Sequence, residues 1–414
     1  MEEKLLKVKE ILKKYDQEQV LDFYDTLSKE KQNQLLDEVL TLNFEQLKKL
    51  YESTKTKPSF ADSKIEPIPY IAKDQLNNLQ LQEYEKLGEE AIKQGKVAIV
   101  TMAGGQGTRL GHSGPKGTYD IGLASHKSIF QLLCDRLKEA KEKYNVAIPW
   151  YLMTSDENNQ DTITFFEKNE YFHYPKEAVH FFIQGKMPML DVQGKILLDE
   201  QGMIKLAPDG HGGVFESMVN NGVIYQMKQQ GIERVLITGV DNVLAKLVDP
   251  IFLGLQIKQN AIAASKSVVK AYAEEKVGVF CKKDGKPSVI EYTEVPKELA
   301  EATDETGGFL LGDSNIINHQ FHIDLLEKIS TQKLPYHIAF KKAKYKQKDG
   351  TIVEPTEPNA YKFETFLFDI FSFVPEMLVF RVKREEEFAP VKNATGKDSP
   401  ETARELYKAY YHVN

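Results

Sequence analysis

Three glycines, an arginine and a lysine stand close together in MAGGQGTRLGHSGPKGTYDIG, residues 102–122, directly after the apolar run KVAIVT. Gly104, Gly105 and Gly107 leave backbone N–H groups unshielded, so a polyphosphate can approach the main chain, and Arg109 and Lys116 bring positive charge to the same stretch. The combination predicts a phosphate cradle with its cations built in. Two rival phosphate loops do not fit. Three residues separate Gly107 from Gly111 where a dinucleotide-binding loop has two, and no GxxxxGK[ST] string occurs. A plain glycine turn joining strand to helix is the alternative, and the Thr, Arg and Pro-Lys-Gly that accompany the glycines disfavour it.

Other residues carry chemistry in less specific settings. Asp241 follows the run RVLITGV and precedes Asn242. A carboxylate at the open end of a buried strand can take a Mg²⁺ that bridges nucleotide phosphates, because that ion needs only one or two protein carboxylates and keeps its waters. It can equally cap a helix that starts near Val243. Gln184 lies just past the run VHFFI, where a solvated loop glutamine is the ordinary reading. The segment APDGHGG, residues 207–213, gathers turn-forming residues ahead of a helix expected near Val214. Its glycines permit close approach of a ligand, but plain loops share that composition.

These residues need a scaffold, and the pattern from residue 96 onward supplies one. Short apolar runs (VAIVTM, WYLMT, VHFFI, RVLITGV) alternate with helical stretches at 127–143, 157–168 and 215–230. Such alternation predicts an α/β fold, with a mixed, mainly parallel sheet covered by helices on both faces. Ligands bind at the carboxyl ends of the strands in such sheets, which points to the loops after Met102, Thr154, Ile183 and Val240. Residues 268–293 differ: VGVF and SVIEYT flank the turn-rich KKDGKP and predict an antiparallel flap. Ahead of the core, Leu5, Val8, Ile11 and Leu12, then Leu35, Leu36, Val39 and Leu40, repeat at three and four and predict amphipathic helices. Residues 53–69 lose that period and include Pro58, Pro67 and Pro69, which marks a linker. The organisation expected is a helical segment and linker at 1–68, a catalytic core at 69–395 and a C-terminal helix at 396–414. No internal repeat or low-complexity tract is evident.

Composition narrows the class. With 414 residues, 41% of them hydrophobic and 28% charged, the chain has the balance of a soluble globular protein with at least one large core. A net charge of -7 without long single-sign runs gives no footprint for duplex nucleic acid. Cys134 and Cys281 are the only cysteines and lack metal-ligand spacing, so both read as reduced thiols. The N-terminus mixes acids and bases where a signal peptide needs an apolar core, and no apolar run approaches the roughly 20 residues that span a bilayer. A cytoplasmic location is expected.

The stretch GGQGTRLG followed by GPKGTYDIGL resembles the signature of eukaryotic-type UDP-sugar pyrophosphorylases, above all the UDP-N-acetylhexosamine pyrophosphorylases. The likeness continues in order through FFIQGKMP, LAPDGHGGVF, GVDN, VGVF with VIEY, SNIINH, FETFLFDIF and VKNA, over roughly residues 66–410. The chain stops soon after VKNA, where those relatives carry a further C-terminal domain. The resemblance implies a Rossmann-like nucleotidyltransferase core of the GT-A kind that forms a UDP-sugar and pyrophosphate from UTP and a sugar 1-phosphate. N-acetylglucosamine 1-phosphate is the sugar it implies first, with glucose 1-phosphate or a broad range of sugars as the alternative. A degenerate relative that only senses a UDP-sugar is the non-enzyme alternative, and the intact cations and Asp241 argue against it.

Residue by residue, the resemblance assigns Gly104, Gly105 and Gln184 to the uridine, Gly210 to the base, and Arg109 and Lys116 to the triphosphate. It assigns Lys362 (NAYKFETF) and Lys392 (VKNA) to phosphate contacts and Asp241 to Mg²⁺. Gly278, Glu291, Asn315, Phe366 and Phe368 fall at its sugar positions; the two phenylalanines are spaced by two, as on one strand face. His211 is a sugar position too, and stands where acetamido-sugar members typically show Asn and glucose-using relatives show His. The partners expected are UTP and a sugar 1-phosphate, with no nucleic acid and no membrane, in a monomer or weak homo-oligomer.

Overall fold

The computed structural model describes residues 1–56, 63–330 and 332–413. Part of the expected linker, Pro58 included, lies outside the described residues. The chain forms two compact units, each discontinuous in sequence: one combines Met1–Asp62, Gly185–Gly213 and Leu334–Leu367, the other Ser63–Gln184, Val214–Lys333 and Phe368–Asn414. The span 69–395, read from sequence as one core, is therefore shared between the units. Its segments 185–213 and 334–367 bury their apolar side chains with the N-terminal helices.

In the second unit an eleven-stranded sheet carries the path that matters for the site. Its strands are β1 (Ile71–Ala72), β2 (Val97–Met102), β3 (Trp150–Thr154), β4 (Val179–Ile183), β5 (Arg234–Gly239), β6 (Ala263–Val269), β7 (Asp313–His322) and β8 (Leu378–Arg381). They lie in the order β1-β8-β6-β7-β5-β2-β3-β4. Only β7 runs against its neighbours on this path; the other pairs are parallel. Strands β2 and β3 are almost wholly buried, as a parallel sheet covered on both faces requires. The loops that follow β2, β3, β4 and β5 consequently leave one edge of the sheet together, and those after β6 and β8 leave the same edge.

The four apolar runs read from sequence are all strands, and the expected helices at 127–143 and 157–168 form as Ile129–Tyr144 and Asn159–Lys168. Ser128 starts the first by accepting a hydrogen bond from the Gln131 N–H, and Asn145 ends it in the left-handed conformation. The stretch 215–230 forms two helices, Val214–Asn220 and Val223–Gln229, because Gly222 adopts a φ of 70° between them. The flap is the hairpin Val279–Lys283 and Lys286–Ile290, turning at Asp284 and Gly285, both with positive φ. Val268 and Val269, read with that hairpin, belong instead to β6. Strand β7 escaped the sequence reading since DSNIINHQFH looks polar. Several of its polar side chains are buried against partners of their own, such as His319 Nδ1 with Ser265 Oγ at 2.6 Å and Gln320 with Gln256 at 2.6 Å, while Ser314 Oγ and the Asn318 amide are buried without a hydrogen bond to any described residue. Near the end of the chain, Pro400–Tyr411 forms the expected C-terminal helix behind a Ser399–Thr402 capping box.

The first unit gathers helices Glu2–Lys14, Lys29–Thr41 and Phe44–Ser53 around Leu190, Ile196, Met203, Ile204 and Phe363. Its antiparallel sheet joins Tyr336–Lys341, Ala360–Thr365 and Leu190–Asp191. The strand Ala360–Thr365 stops before Phe366, and Leu367–Phe373 is a tight helical turn, so Phe366 and Phe368 do not share a strand face as expected. No helix among the described residues is long and apolar enough to cross a membrane.

One ion pair lies at the heart of the second unit. Lys266 on β6 is fully buried, with its Nζ 2.6 Å from Asp249 Oδ2 and 2.5 Å from Glu387 Oε2. Burial pushes the Asp249 carboxyl up, but the Lys266 ammonium overrides this and holds it at about 2. Replacing Lys266 with Met leaves the buried Asp249 without its direct partner and Glu387 with Lys246 alone, at 3.5 Å, and is expected to cost about 3–5 kcal/mol of unfolding free energy, read from denaturant midpoints. Because the Asp249 carboxyl is depressed, its contribution is present above the ordinary aspartate value of 3.8 and is lost as pH falls through about 2. That acid-side loss should be missing from Lys266→Met. A change below about 1 kcal/mol in the midpoint-derived stability would show that the pair adds no more than an exposed one.

Candidate active site

The glycine-rich loop leaves β2 and folds back on itself. Gly107 donates its N–H to the Gly114 carbonyl at 2.9 Å and Lys116 donates to the Gly105 carbonyl at 3.1 Å. Asn158, fully buried, clamps it from the next strand's loop: its Nδ2 donates to the carbonyls of Ala103 (2.9 Å) and Gly105 (3.3 Å), while its Oδ1 accepts from the Ser155 N–H (2.8 Å). Gln184, at the end of β4, lays its amide over Gly104, where a Cβ would meet Oε1 at 2.7 Å and Nε2 at 2.9 Å. Any side chain at 104 would displace that amide. Gly105 faces open space. Two of the expected uridine residues, 80 positions apart, are thus brought into contact by the β2-β3-β4 order.

Charge converges on the same loop. Lys116 Nζ lies 3.8 Å from Asp241 Oδ2, and both side chains are mostly buried. Burial lowers the Lys116 pKa from the usual lysine range; Asp241 draws it back up, and the positive charges of Arg109 and Lys392 push it down again. Arg109, Lys392 and Asp241 thus all act on Lys116, and a second carboxylate, Asp398, lies 3.9 Å from Lys392. Asp241 caps no helix, since residues 240–244 form a turn and the next helix, Pro250–Lys258, is capped by Asp249. Asn242, 2% exposed, fixes that turn: its Nδ2 donates to the Glu387 carbonyl (2.7 Å) and its Oδ1 accepts from Ala389 N–H (2.9 Å). The Val391 N–H then donates to the Asp241 carbonyl at 2.8 Å, which sets Lys392 one residue further on.

The donor set suits a hard divalent cation that arrives with a triphosphate. Asp241 offers one carboxylate, and no group of three or more His, Cys, Asp or Glu side chains that could hold a metal occurs among the described residues. The remaining ligands of a Mg²⁺ there would be phosphate oxygens and water, as that ion prefers.

Three sugar-position residues also converge in the second unit. Asn315 N–H donates to the Gly278 carbonyl at 2.8 Å, and a Cβ on Gly278 would stand 3.1 Å from Glu291 Oε1. Phe368 belongs to this unit too but is core, 3% exposed. In the first unit, Gly210 (φ 88°) passes so close to the strand end that a Cβ would lie 2.4 Å from the Thr365 carbonyl oxygen, so only glycine fits. Beside it, His211 Nδ1 accepts a hydrogen bond from the Leu367 N–H at 3.0 Å. An N–H donor requires a lone pair on Nδ1, so the neutral ring carries its proton on Nε2. His211 stacks on Phe366 (centroids 5.4 Å), and His337 stacks on Phe366 as well (4.0 Å). Lys362 Nζ is held 2.6 Å from Glu364 Oε1.

Sequence reasoning did not single out Asn158, Glu364 or His337, and it noted Asn242 only as the neighbour of Asp241. Glu364 alone had a local signal, its i, i+2 spacing from Lys362 on one strand face.

The sheet with its ligand-facing edge and the glycine cradle at the end of β2 define an α/β protein of the nucleotidyltransferase kind. The family model described as UTP–glucose-1-phosphate uridylyltransferase matches residues 41–397, and the chain belongs to that family. The UDP-N-acetylglucosamine pyrophosphorylase of Saccharomyces cerevisiae is 43% identical over 357 residues, covering 83% of this chain and 75% of that protein. UDP-N-acetylglucosamine diphosphorylase 2 of Arabidopsis thaliana is 38% identical over 419 residues, covering 96% and 82%. Among solved structures, the uridine diphosphate N-acetylglucosamine pyrophosphorylase of Trypanosoma brucei in complex with inhibitor matches with a TM-score of 0.83 at 28% identity, over 99% of this chain and 85% of that one.

The charge cluster predicts an activity–stability trade. Lys116→Met should lower turnover by about two to three orders of magnitude, the loss of a preorganised cation worth about 3–4 kcal/mol at the transition state. Because the folded surroundings lower the lysine's pKa, they disfavour its charged form, so the same change should leave the melting temperature equal or higher. Near-normal turnover with a lower melting temperature would make Lys116 a structural residue.

Proposed function

We propose that this uridylyltransferase joins UTP to N-acetylglucosamine 1-phosphate, giving UDP-N-acetylglucosamine and pyrophosphate, with Mg²⁺ held at Asp241. The observation that carries the reading is the convergence of Asp241, Arg109 and Lys392 on Lys116, in the loop whose Gly104 lies under the Gln184 amide. The names of the relatives support the choice of sugar, and two buried, free cysteines support a cytoplasmic setting.

In this reading a phosphate oxygen of the sugar phosphate attacks the α-phosphorus of UTP in line with the bond to the β-phosphate, and pyrophosphate leaves with that bond's electron pair. Positioning and neutralisation of developing charge supply most of the acceleration, so no protein nucleophile is needed. The Gln184 amide offers a donor and an acceptor to the uracil edge. Arg109 and Lys116 neutralise the triphosphate and the departing pyrophosphate, and Lys392 adds to the same field. Lys362, held by Glu364, serves the phosphate that joins sugar and nucleotide. Gly278, Glu291 and Asn315 bind sugar hydroxyls. When bound, Mg²⁺ would draw charge from the phosphate oxygens.

His211 favours a second sugar alongside the first. Its Nε2–H presents a single donor on a stiff ring stacked on Phe366, where an Asn would offer both a donor and an acceptor. The pocket is then less committed to the acetamido group, and glucose 1-phosphate should also react.

Two measurements test this. Pyrophosphate release should depend on UTP, Mg²⁺ and N-acetylglucosamine 1-phosphate, with ATP a poor substitute. Asp241→Asn should raise the Mg²⁺ concentration needed, since the amide keeps the shape and loses the charge. An unchanged Mg²⁺ requirement would remove Asp241 from metal binding, and no pyrophosphate with any common hexose or hexosamine 1-phosphate would overturn the reaction itself. In a comparison of specificity constants, His211→Asn should move the ratio toward the N-acetyl substrate, by about 10- to 200-fold if only fit differs. An unchanged ratio in an active enzyme would show that His211 does not choose the sugar.

A further inference from the structure

The glycine-rich loop carries its two cations on separate turns. Arg109 rides on the short helical turn Thr108–Leu110, and Lys116 opens a second one, Lys116–Thr118. The first turn closes on the Gly107 carbonyl, which accepts from the N–H groups of Leu110 (2.8 Å) and His112 (3.1 Å). The second turn rests on the core, since Gly117 lies so close to Phe130 that a Cβ would meet the ring at 2.2 Å. Between the two turns in sequence stands His112, half-buried and without a part in the reaction described above.

His112 accounts for two of the loop's glycines. Gly107 spends its N–H on the Gly114 carbonyl (2.9 Å) rather than leaving it to a phosphate, and a Cβ there would stand 2.7 Å from His112 Cβ and 2.8 Å from its Cδ2. A Cβ on Gly114 would stand 3.1 Å from His112 Nε2. The imidazole thus fills space that both positions leave free. Its orientation is fixed as well: Nε2 lies 2.7 Å from Thr118 Oγ1, and the ring stands edge-on to Tyr119, with centroids 5.5 Å apart and planes at 86°. Thr118 gives its one hydroxyl proton to the Pro115 carbonyl (2.8 Å), so its oxygen accepts and the imidazole Nε2–H donates. The His112 backbone therefore closes the Arg109 turn while its ring is bonded to the Lys116 turn.

We propose that His112 is a positioning residue for the nucleotide: by spanning the two turns it fixes the separation of Arg109 and Lys116, so that both cations meet one triphosphate. It acts through Gly107 and Thr118, not on the substrate. An imidazole suits this task, since its stiff ring both fills the gap and donates from its far end, where an aliphatic side chain only fills. The role rests on the uridylyltransferase reading, because it needs UTP in the cradle.

Affinity for UTP with Mg²⁺, from calorimetry of the full chain, and kcat/KM for UTP, from pyrophosphate release, test it together. His112→Leu keeps the space filled and removes the donor, while Thr118→Val removes the acceptor. Each should weaken UTP binding and lower kcat/KM by about tenfold to a hundredfold, the scale on which displaced groups lose rate. The double variant should lose little more than either single one, because both break the same bond. His112→Gln, whose Nε2–H can reach Thr118, should recover most of the loss. A side chain that served stability alone would lower the melting temperature and leave UTP affinity well below that temperature unchanged. If His112→Leu does not fold, Thr118→Val and His112→Gln carry the test. Native affinity and kcat/KM in Thr118→Val, losses that multiply in the double variant, or a Gln variant as impaired as Thr118→Val would overturn the role. A native chain that binds UTP but releases no pyrophosphate with any sugar 1-phosphate contradicts only the function proposed above, and the affinities still decide on His112; one that binds no UTP contradicts both.

Discussion

A single ammonium sealed between two carboxylates decides where the end of the chain lies on the sheet. Lys266 sits in the middle of β6, and its partners come from the start of the helix Pro250–Lys258 and from Glu387 just past β8. A buried charge on this scale is tolerable only with its partners in place, so these three elements cannot shift independently. Glu387 uses its backbone as well, since its carbonyl accepts from Asn242, and Asn242 takes the Ala389 N–H in return. The turn that presents Asp241 and the strand-like stretch that ends in Lys392 are thereby fastened to each other and to the core. Electrostatics buried in the fold and electrostatics exposed in the site belong to one network.

How much of this was legible depends on whether the cause was local. The cradle was readable because glycines, Arg109 and Lys116 fall within a dozen residues and carry their chemistry in composition alone. The parallel strands were readable because a sheet covered on both faces demands uninterrupted apolar runs such as VAIVTM and WYLMT. Strand β7 was not, for its polar letters are buried by partners 46 to 64 positions away: Ser267 with Asp313, His319 with Ser265, Gln320 with Gln256. The same reason hid Asn158, whose role exists only once β3 lies beside β2. Gln184 looked like an ordinary loop residue until the strand order set its amide on Gly104.

The division into units was hidden for a related reason. Leu190, Ile196 and Phe363 have apolar neighbours in sequence but take their packing partners from Val8, Leu12 and Leu36. Periodicity reports that a face is apolar and is silent about which face covers it. The i, i+2 spacing of Phe366 and Phe368 suggested one strand face, yet the strand ends at Thr365. Phe366 stacks with His211 and with His337, and Phe368 is core in the second unit.

The nucleotide loop is electrostatically unfinished by itself. Burial lowers the Lys116 pKa, Asp241 opposes that, and the charges of Arg109 and Lys392 add to the lowering. A protein selected only for stability would place another acid there or remove a lysine, as the paired Lys266 shows this fold can do. The contrast separates two settings of a buried lysine: Lys266 fully paired between two carboxylates, and Lys116 with one carboxylate at 3.8 Å and two cations acting on it. Catalysis by charge neutralisation needs the second kind, since groups already satisfied in the free protein would have to release their partners before they could stabilise anything new.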